Sequence, residues 1–229
     1  MDTAFGRAIG IMLTGDPELL GIAGRSIAFS LLSTLIATVI ALPLAVWLGR
    51  GRFRGRKASL AAVQALTSIP TVVLALAVYS LISRRGPLGD LGLLFTPTAI
   101  VIGQVFLIAP IVIAVTAQAM ESIDPAFGET MRTFRVPALR RLIALILETL
   151  PAILIAVITA FGRAVGEVGV SMVLGGNIRF RTRTMTTAIA LETQRGDFEL
   201  SIALGVILLI IALVVNFALR LLARKAAET

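Results

Sequence analysis

The 229 residues contain neither cysteine nor histidine. Their absence excludes disulfides, thiol redox chemistry, iron–sulfur clusters and the common nitrogen and sulfur metal sites. It also removes the side chain most used to move protons near neutral pH. Charge is scarce: 15% of residues are Asp, Glu, Lys or Arg, against 57% hydrophobic. Ordinary soluble domains carry about 25% charged residues, so this composition cannot clothe a water-exposed surface. No carboxylate dyad falls within an apolar run, and no serine, lysine or acid stands in a catalytic arrangement. The segment GRFRGRKA at 51–58 lacks the spacing and terminal hydroxyl of a phosphate loop, so no nucleotide site is expected in this chain. Residues 1–20 lack both the basic lead-in and the cleavage site of a signal peptide. No repeat and no low-complexity linker interrupts the chain, which reads as a single domain, 1–229.

What remains is apolar length. Five stretches, roughly 22–48, 58–83, 97–119, 149–173 and 200–222, are each long enough to cross a bilayer. The piece 4–13 is too short to span and reads as a helix lying in the interface. The expected fold is therefore an all-α membrane protein with five transmembrane helices and an N-terminal interfacial helix. Between the first two stretches, 50–57 holds five cations in eight residues, which the positive-inside rule puts in the cytoplasm. Alternation then gives a net charge of +7 inside and +1 outside, N-terminus out and C-terminus in. The net +8 of the chain is accordingly a mark of topology and not of nucleic-acid binding. Arg179, Arg181 and Arg183 lie outside against this rule, so something other than orientation must hold them there.

Three segments carry chemistry. In the fourth stretch, Arg163 and Glu167 are four residues apart and share a helix face. Charges in hydrocarbon cost about 2.5–3.5 kcal/mol each even on a lenient scale. The pair must therefore face protein or water, either as a structural tie or lining a pathway or gate. Gly162, Gly166 and Gly169 on the same stretch suit close helix packing. The 29 residues 120–148 form the longest cytoplasmic connection. Asp124-Pro125 opens a helix, Val136-Pro137 breaks it, and a second helix follows from Ala138. These two short helices form either a knob for a partner protein or an amphipathic hairpin on the lipid surface. After Asn177, the outer segment offers Thr182, Thr184, Thr186 and Thr187, and an apolar run 185–191 expected to dip back at the outer mouth. Four arginines around it serve anion attraction or headgroup binding equally well. An enzyme or assembly factor buried in the bilayer stands as a rival class, as does a stand-alone channel or secondary transporter. The first lacks catalytic groups, and the second lacks inverted halves.

Five spans with a two-helix cytoplasmic loop between the third and fourth resemble the permease subunits of type I ATP-binding-cassette importers. The loop is similar to their coupling segment, with Glu129-Thr130-Met131-Arg132-Thr133-Phe134-Arg135 in the place of its Glu-Ala-Ala start and Leu147-Glu148-Thr149-Leu150-Pro151 at its Leu-Pro end. Gly166-Glu167-Val168-Gly169, Gly176-Asn177-Ile178 and Thr182-Arg183-Thr184 through Ala188-Ile189 resemble the molybdate, sulfate and tungstate branch. Phe161-Gly162-Arg163, Leu191-Glu192-Thr193, Gly196-Asp197-Phe198, Arg85-Gly86-Pro87-Leu88-Gly89 and Thr96-Pro97-Thr98-Ala99 look most like the tungstate permeases.

The resemblance implies an oxyanion importer in a bacterial or archaeal cytoplasmic membrane, carrying tungstate or else molybdate or sulfate, with residues 20–225 as its core. A homodimer would form the pathway, two ATPase subunits holding ATP and Mg would grip the loop, and an extracytoplasmic binding protein would dock outside. This chain would hold no cofactor. Coupling would fall to Asp124, Pro125, Glu129, Thr130, Met131, Arg132, Thr133, Phe134 and Arg135. The pathway, gate or dimer interface would fall to Arg163, Glu167, Met172, Leu174, Gly175, Gly176, Asn177, Thr184 and Thr187.

Overall fold

A computed structural model describes Gly10 and residues 15–51 and 53–227; the expected interfacial helix at 4–13 falls, Gly10 apart, outside the described residues. Among these residues, every regular element is helical. α1 (Pro17–Arg50) is a single 34-residue helix. The Asp16 carboxylate accepts from the Glu18 and Leu19 amides at 2.8 and 3.1 Å, the N-cap that satisfies donors a helix start leaves open. Its buried stripe is built of small residues, Ser26, Ser30, Ser33, Ala37, Ala41 and Ala45. Small side chains at this spacing let a second backbone approach closely, and α4 (Pro97–Glu121) lies along it. The contact is tightest at one end, where a Cβ added to Gly49 would sit 2.8 Å from Met120 Cβ and 2.9 Å from the Ala117 carbonyl oxygen. The opposite face of α1 exposes Leu31, Leu35, Val39 and Trp47, and α10 (Phe198–Ala227) exposes Leu213, Val214 and Phe217. In lipid such faces are solvated, as they would not be in water.

Three helices are long and apolar enough to cross a membrane alone, and up to five crossings result if each bent pair counts as one. The second expected span is not one helix: α2 (Arg56–Leu66) and α3 (Thr71–Ile82) meet at 100°. Pro70 explains the break, since it disfavours helix at the residue before it and supplies no amide. The fourth expected span is also divided. The connecting helices α5 (Pro125–Thr133) and α6 (Ala138–Glu148) lead into α7 (Leu150–Val165) through a 62° bend at Thr149. At about 24 Å, the 16 residues of α7 fall short of the hydrocarbon core. The chain then turns through 166–168 before α8 (Gly169–Gly175). The helix expected over 149–173 thus ends at Val165, before Glu167 is reached.

The two breaks meet. A Cβ on Gly169 would lie 3.0 Å from Thr71 Oγ1, 3.2 Å from Val72 Cγ2 and 3.2 Å from Glu167 Oε1. On the other side of α8, Gly103 of α4 leaves room for Val170 and Leu174, each with a methyl 2.5 Å from where a Cβ would stand. The main core unites α1, α3, α4, α7 and α8; a second cluster joins Leu19, Ile22, Val165, Met185, Ala188 and Leu204, gathering α1, α7, α9 (Met185–Arg195) and α10.

Candidate functional site

The connecting helices form as expected. The Asp124 carboxylate accepts from the Ala126 amide at 2.8 Å, α5 runs to Thr133, and α6 starts after Pro137. Glu129, Thr130, Thr133 and Arg135 are exposed, Met131 is half-buried, and Phe134 is 76% exposed. Arg135, between the two helices, takes a left-handed conformation at φ 50°. Pro125 and Arg132 lie on the backbone of α5. On one side of the hairpin, Phe127, Met131, Arg141 and Leu145 face Gly49, Arg56 and Glu121 across a cavity of about 550 Å³.

Inside the protein, Glu167 sits in the turn between α7 and α8, 3% exposed. One carboxylate oxygen accepts from Arg163 Nη1 at 2.5 Å, and the other from the Val170 amide at 3.2 Å. The carbonyl of Glu167 accepts from Thr186 Oγ1 at 2.8 Å. The pair read from the sequence is therefore present, although Arg163 stands in the last turn of a helix and Glu167 beyond it. Its two members differ: the Arg163 side chain is 39% exposed and that of Glu167 only 3%.

The helix break also frees carbonyls. Gln104 Nε2 donates to the Ala164 carbonyl at 3.2 Å, and Ser33 Oγ donates to Gln104 Oε1 at 2.8 Å. This polar bridge across α1, α4 and α7 escapes sequence reasoning; the one signal is a glutamine, Gln104, set among apolar residues in the middle of the run 97–119. Ser171 Oγ on α8 is buried without a hydrogen-bond partner.

The remaining candidates divide. Leu174 and Gly175 are buried within the chain, and a Cβ on Gly175 would lie 2.6 Å from Ile100 Cδ1. Met172 is half-buried. Gly176 and Asn177 are left-handed at φ 68° and 51° and turn the chain back. Thr187 Oγ1 donates to Asn177 Oδ1 at 2.9 Å and accepts from the Thr184 amide at 3.0 Å, so Thr184 and Thr187 cap α9 from inside. Met185 donates its amide to Ser26 Oγ at 2.7 Å, pinning α9 to α1.

Of the three arginines that the sequence set against the positive-inside rule, Arg179 and Arg183 have acidic partners. Arg183 is 9% exposed at its side chain and lies 3.3 Å from Glu192 and 3.7 Å from Glu18, and Arg179 chelates both Glu18 oxygens. The hydrogen bonds that Arg179 donates to Glu18, together with the carboxylate charge, raise the Arg179 guanidinium above its ordinary pKa. Pairing keeps these cations where they are. Arg181 stays exposed, and Arg179 also lies over the Phe180 ring at 4.9 Å. Phe180 itself is 67% exposed at φ 62°, an aromatic that sequence reasoning missed.

Comparison with known proteins agrees with this arrangement. The family described as binding-protein-dependent transport system inner membrane component matches residues 41–228. A tungstate uptake system permease protein, TupB, of Peptoclostridium acidaminophilum is 35% identical over 212 residues, 93% of this chain and 93% of that protein. TupB of Campylobacter jejuni is 45% identical over 150 residues, 66% of this chain and 63% of the relative. Among solved structures, a bacterial alginate ABC transporter bound to its alginate-loaded periplasmic protein shares the fold at TM-score 0.74 and 20% identity, covering 96% of this chain and 83% of that one. With nearly its whole length matched and its helices arranged alike, the chain belongs to the binding-protein-dependent transport system inner membrane component family.

Proposed function

We propose that this chain is the membrane-spanning subunit of an ATP-driven oxyanion importer whose substrate is tungstate, and that two copies form the pathway. The observation that carries the reading is the pair of facing helix breaks. Residues 67 and 68, Pro70, Gly166 and Val168 are exposed there, and Arg163 is open beside them. Lipid cannot satisfy irregular backbone or a half-open guanidinium. A second copy and a water-filled path would satisfy both. The likeness to two tungstate permeases supports the choice of anion. Selection of tungstate over molybdate or sulfate would rest with the binding protein that delivers it.

In this reading the chain performs no covalent chemistry. ATP and Mg sit in two partner ATPase subunits that grip the α5 and α6 hairpin, whose exposed Phe134 suits a hydrophobic socket. Closure of the ATPases moves the hairpins, the bend at Thr149 passes the motion into α7, and the breaks open the path outward. The outer segment around Phe180 meets the binding protein. The membrane is the cytoplasmic membrane, with the N-terminus out and the C-terminus in, as the charge asymmetry favours.

The absence of native cysteine makes the assembly directly testable by single-cysteine reporters. Lys57→Cys and Thr133→Cys are expected to react only from the cytoplasmic side, and Asp90→Cys and Phe180→Cys only from outside. Added ATPase subunits should shield Thr133→Cys, and loaded binding protein should shield Phe180→Cys. Labelling with the sides exchanged would leave the hairpin unable to meet an ATPase and would overturn the reading.

A further inference from the structure

We infer that Arg56 and Glu121 form the tie through which movement of the cytoplasmic hairpin reaches α1 and α2. This inference rests on the importer reading and names a positioning pair within it.

The geometry is that of one guanidinium serving three acceptors. Arg56, the first residue of α2, donates from Nε to the Leu48 carbonyl at 2.6 Å and from Nη2 to the Gly49 carbonyl at 2.7 Å. Both carbonyls belong to the last turn of α1, where a helix leaves acceptors open and concentrates its negative dipole end. The same Nη2 pairs with Glu121, the final residue of α4. Arg50 adds a bond from Nη1 to the Met120 carbonyl at 3.4 Å. At this level α1 and α4 are in backbone contact, since Gly49 has no room for a Cβ. Trp47 and Phe53 stack at 4.4 Å across the turn that leads to α2. Three helix ends are thus held by one side chain.

The connectivity gives that tie its use. The hairpin is joined covalently to α4 through 122–124 and to α7 through Thr149. No chain connection leads from it directly to α1 or to α2. Yet α2 ends at the exposed break 67–70, one side of the proposed path. For the hairpin to shift that break, displacement of α4 must be handed across to α2, and Arg56 is the group that bonds both. Arg56 and Glu121 are 25% and 39% exposed at their side chains. Exposed ion pairs contribute little to stability, so the Glu121 arm of the tie adds little to folding, while the partly buried bonds to the Leu48 and Gly49 carbonyls hold the end of α1. The cavity between this tie and the hairpin leaves room for Phe127, Met131 and Arg141 to approach.

Arginine's planar fork is needed because lysine cannot reach three acceptors in fixed directions. Arg56→Lys and Glu121→Gln are therefore the variants of choice, assembled with ATPase and binding protein in proteoliposomes. Both should assemble, retain hydrolysis stimulated by loaded binding protein within about twofold, and transport about tenfold less tungstate per ATP, a loss typical of a coupling free energy between sites. An unchanged ratio of transport to hydrolysis would overturn the tie, as would loss of ATPase co-purification, which would mark a structural role. Hydrogen exchange on the chain alone in nanodiscs gives a second readout that needs no transport. In Arg56→Lys, exchange at 48–51 and at 120–124 should accelerate together. Acceleration at one end only, or at neither, contradicts the inference. If wild type fails to transport while exchange behaves as stated, the importer reading fails and the tie stands.

Discussion

Glu129→Arg, Phe134→Asp and deletion of 130–134 are expected to abolish co-purification of the ATPase and, with it, all ATP-dependent uptake. The protein itself should still insert and purify. The reason is where these residues lie: Glu129, Thr130, Thr133 and Phe134 are exposed on a hairpin whose α5 belongs to neither core cluster. Surface changes away from buried features shift stability by about 0.5 kcal/mol or less, whereas an aromatic anchor removed from an interface commonly costs about 2 kcal/mol or more. Phe134→Asp combines loss of the anchor with burial of a charge, so the complex should fail as a whole. Detergent-purified protein eluting as wild type while the ATPase washes away is the expected pull-down result. Retention of both partner and transport in Phe134→Asp would mean that another surface meets the ATPase.

The second large effect is asymmetric. Arg163→Ala should destabilise strongly, because it strands the Glu167 carboxylate at 3% exposure. Breaking a buried pair in this way costs about 3–5 kcal/mol. In a chain of this size that is a fall on the order of 10 °C in melting temperature. Glu167→Gln should cost less, because the amide oxygen can still accept from Val170 and the cation left behind is open on one side. The double Arg163→Leu/Glu167→Gln variant is expected to recover most of the melting temperature, since no buried charge remains. Melting in detergent measured beside uptake separates the two uses of the pair. Uptake that returns with stability identifies a structural tie; a stable dimer that is leaky or inactive identifies a gate. Additive effects of the single changes would show that the two residues do not interact.

The hairpin was legible because its signals are local: Asp124-Pro125, Val136-Pro137 and the mixed charge each act within a turn. Arg163 and Glu167 were legible because charges inside an apolar run are conspicuous. The helix breaks were hidden by the same apolar continuity that revealed the spans. Residues 67–70 sit inside a run long enough to cross, and Pro70 alone marks the 100° bend. Gly166 and Gly169 read as packing surface on an unbroken helix. Gly169 does pack closely, against Thr71 and Val72, but at the start of a new helix. Arg183 reads in the sequence equally as attracting an anion or a headgroup, because its partner Glu18 is far away along the chain; the fold brings them within 3.7 Å and places Glu192 at 3.3 Å. Arg56 was counted merely as one of five cytoplasmic cations, and its three acceptors lie on the ends of two other helices.

Uptake in proteoliposomes holding this chain and its ATPase bears most directly on the function. Loaded binding protein is supplied on the outer face and ATP with Mg in the lumen. Tungstate should accumulate inside only when ATP, Mg and binding protein are all present, with excess molybdate or sulfate competing only as far as each occupies the binding protein. Accumulation without ATP or without binding protein would make the chain a channel or a secondary transporter, and no accumulation of any of the three anions under full conditions would contradict an oxyanion importer.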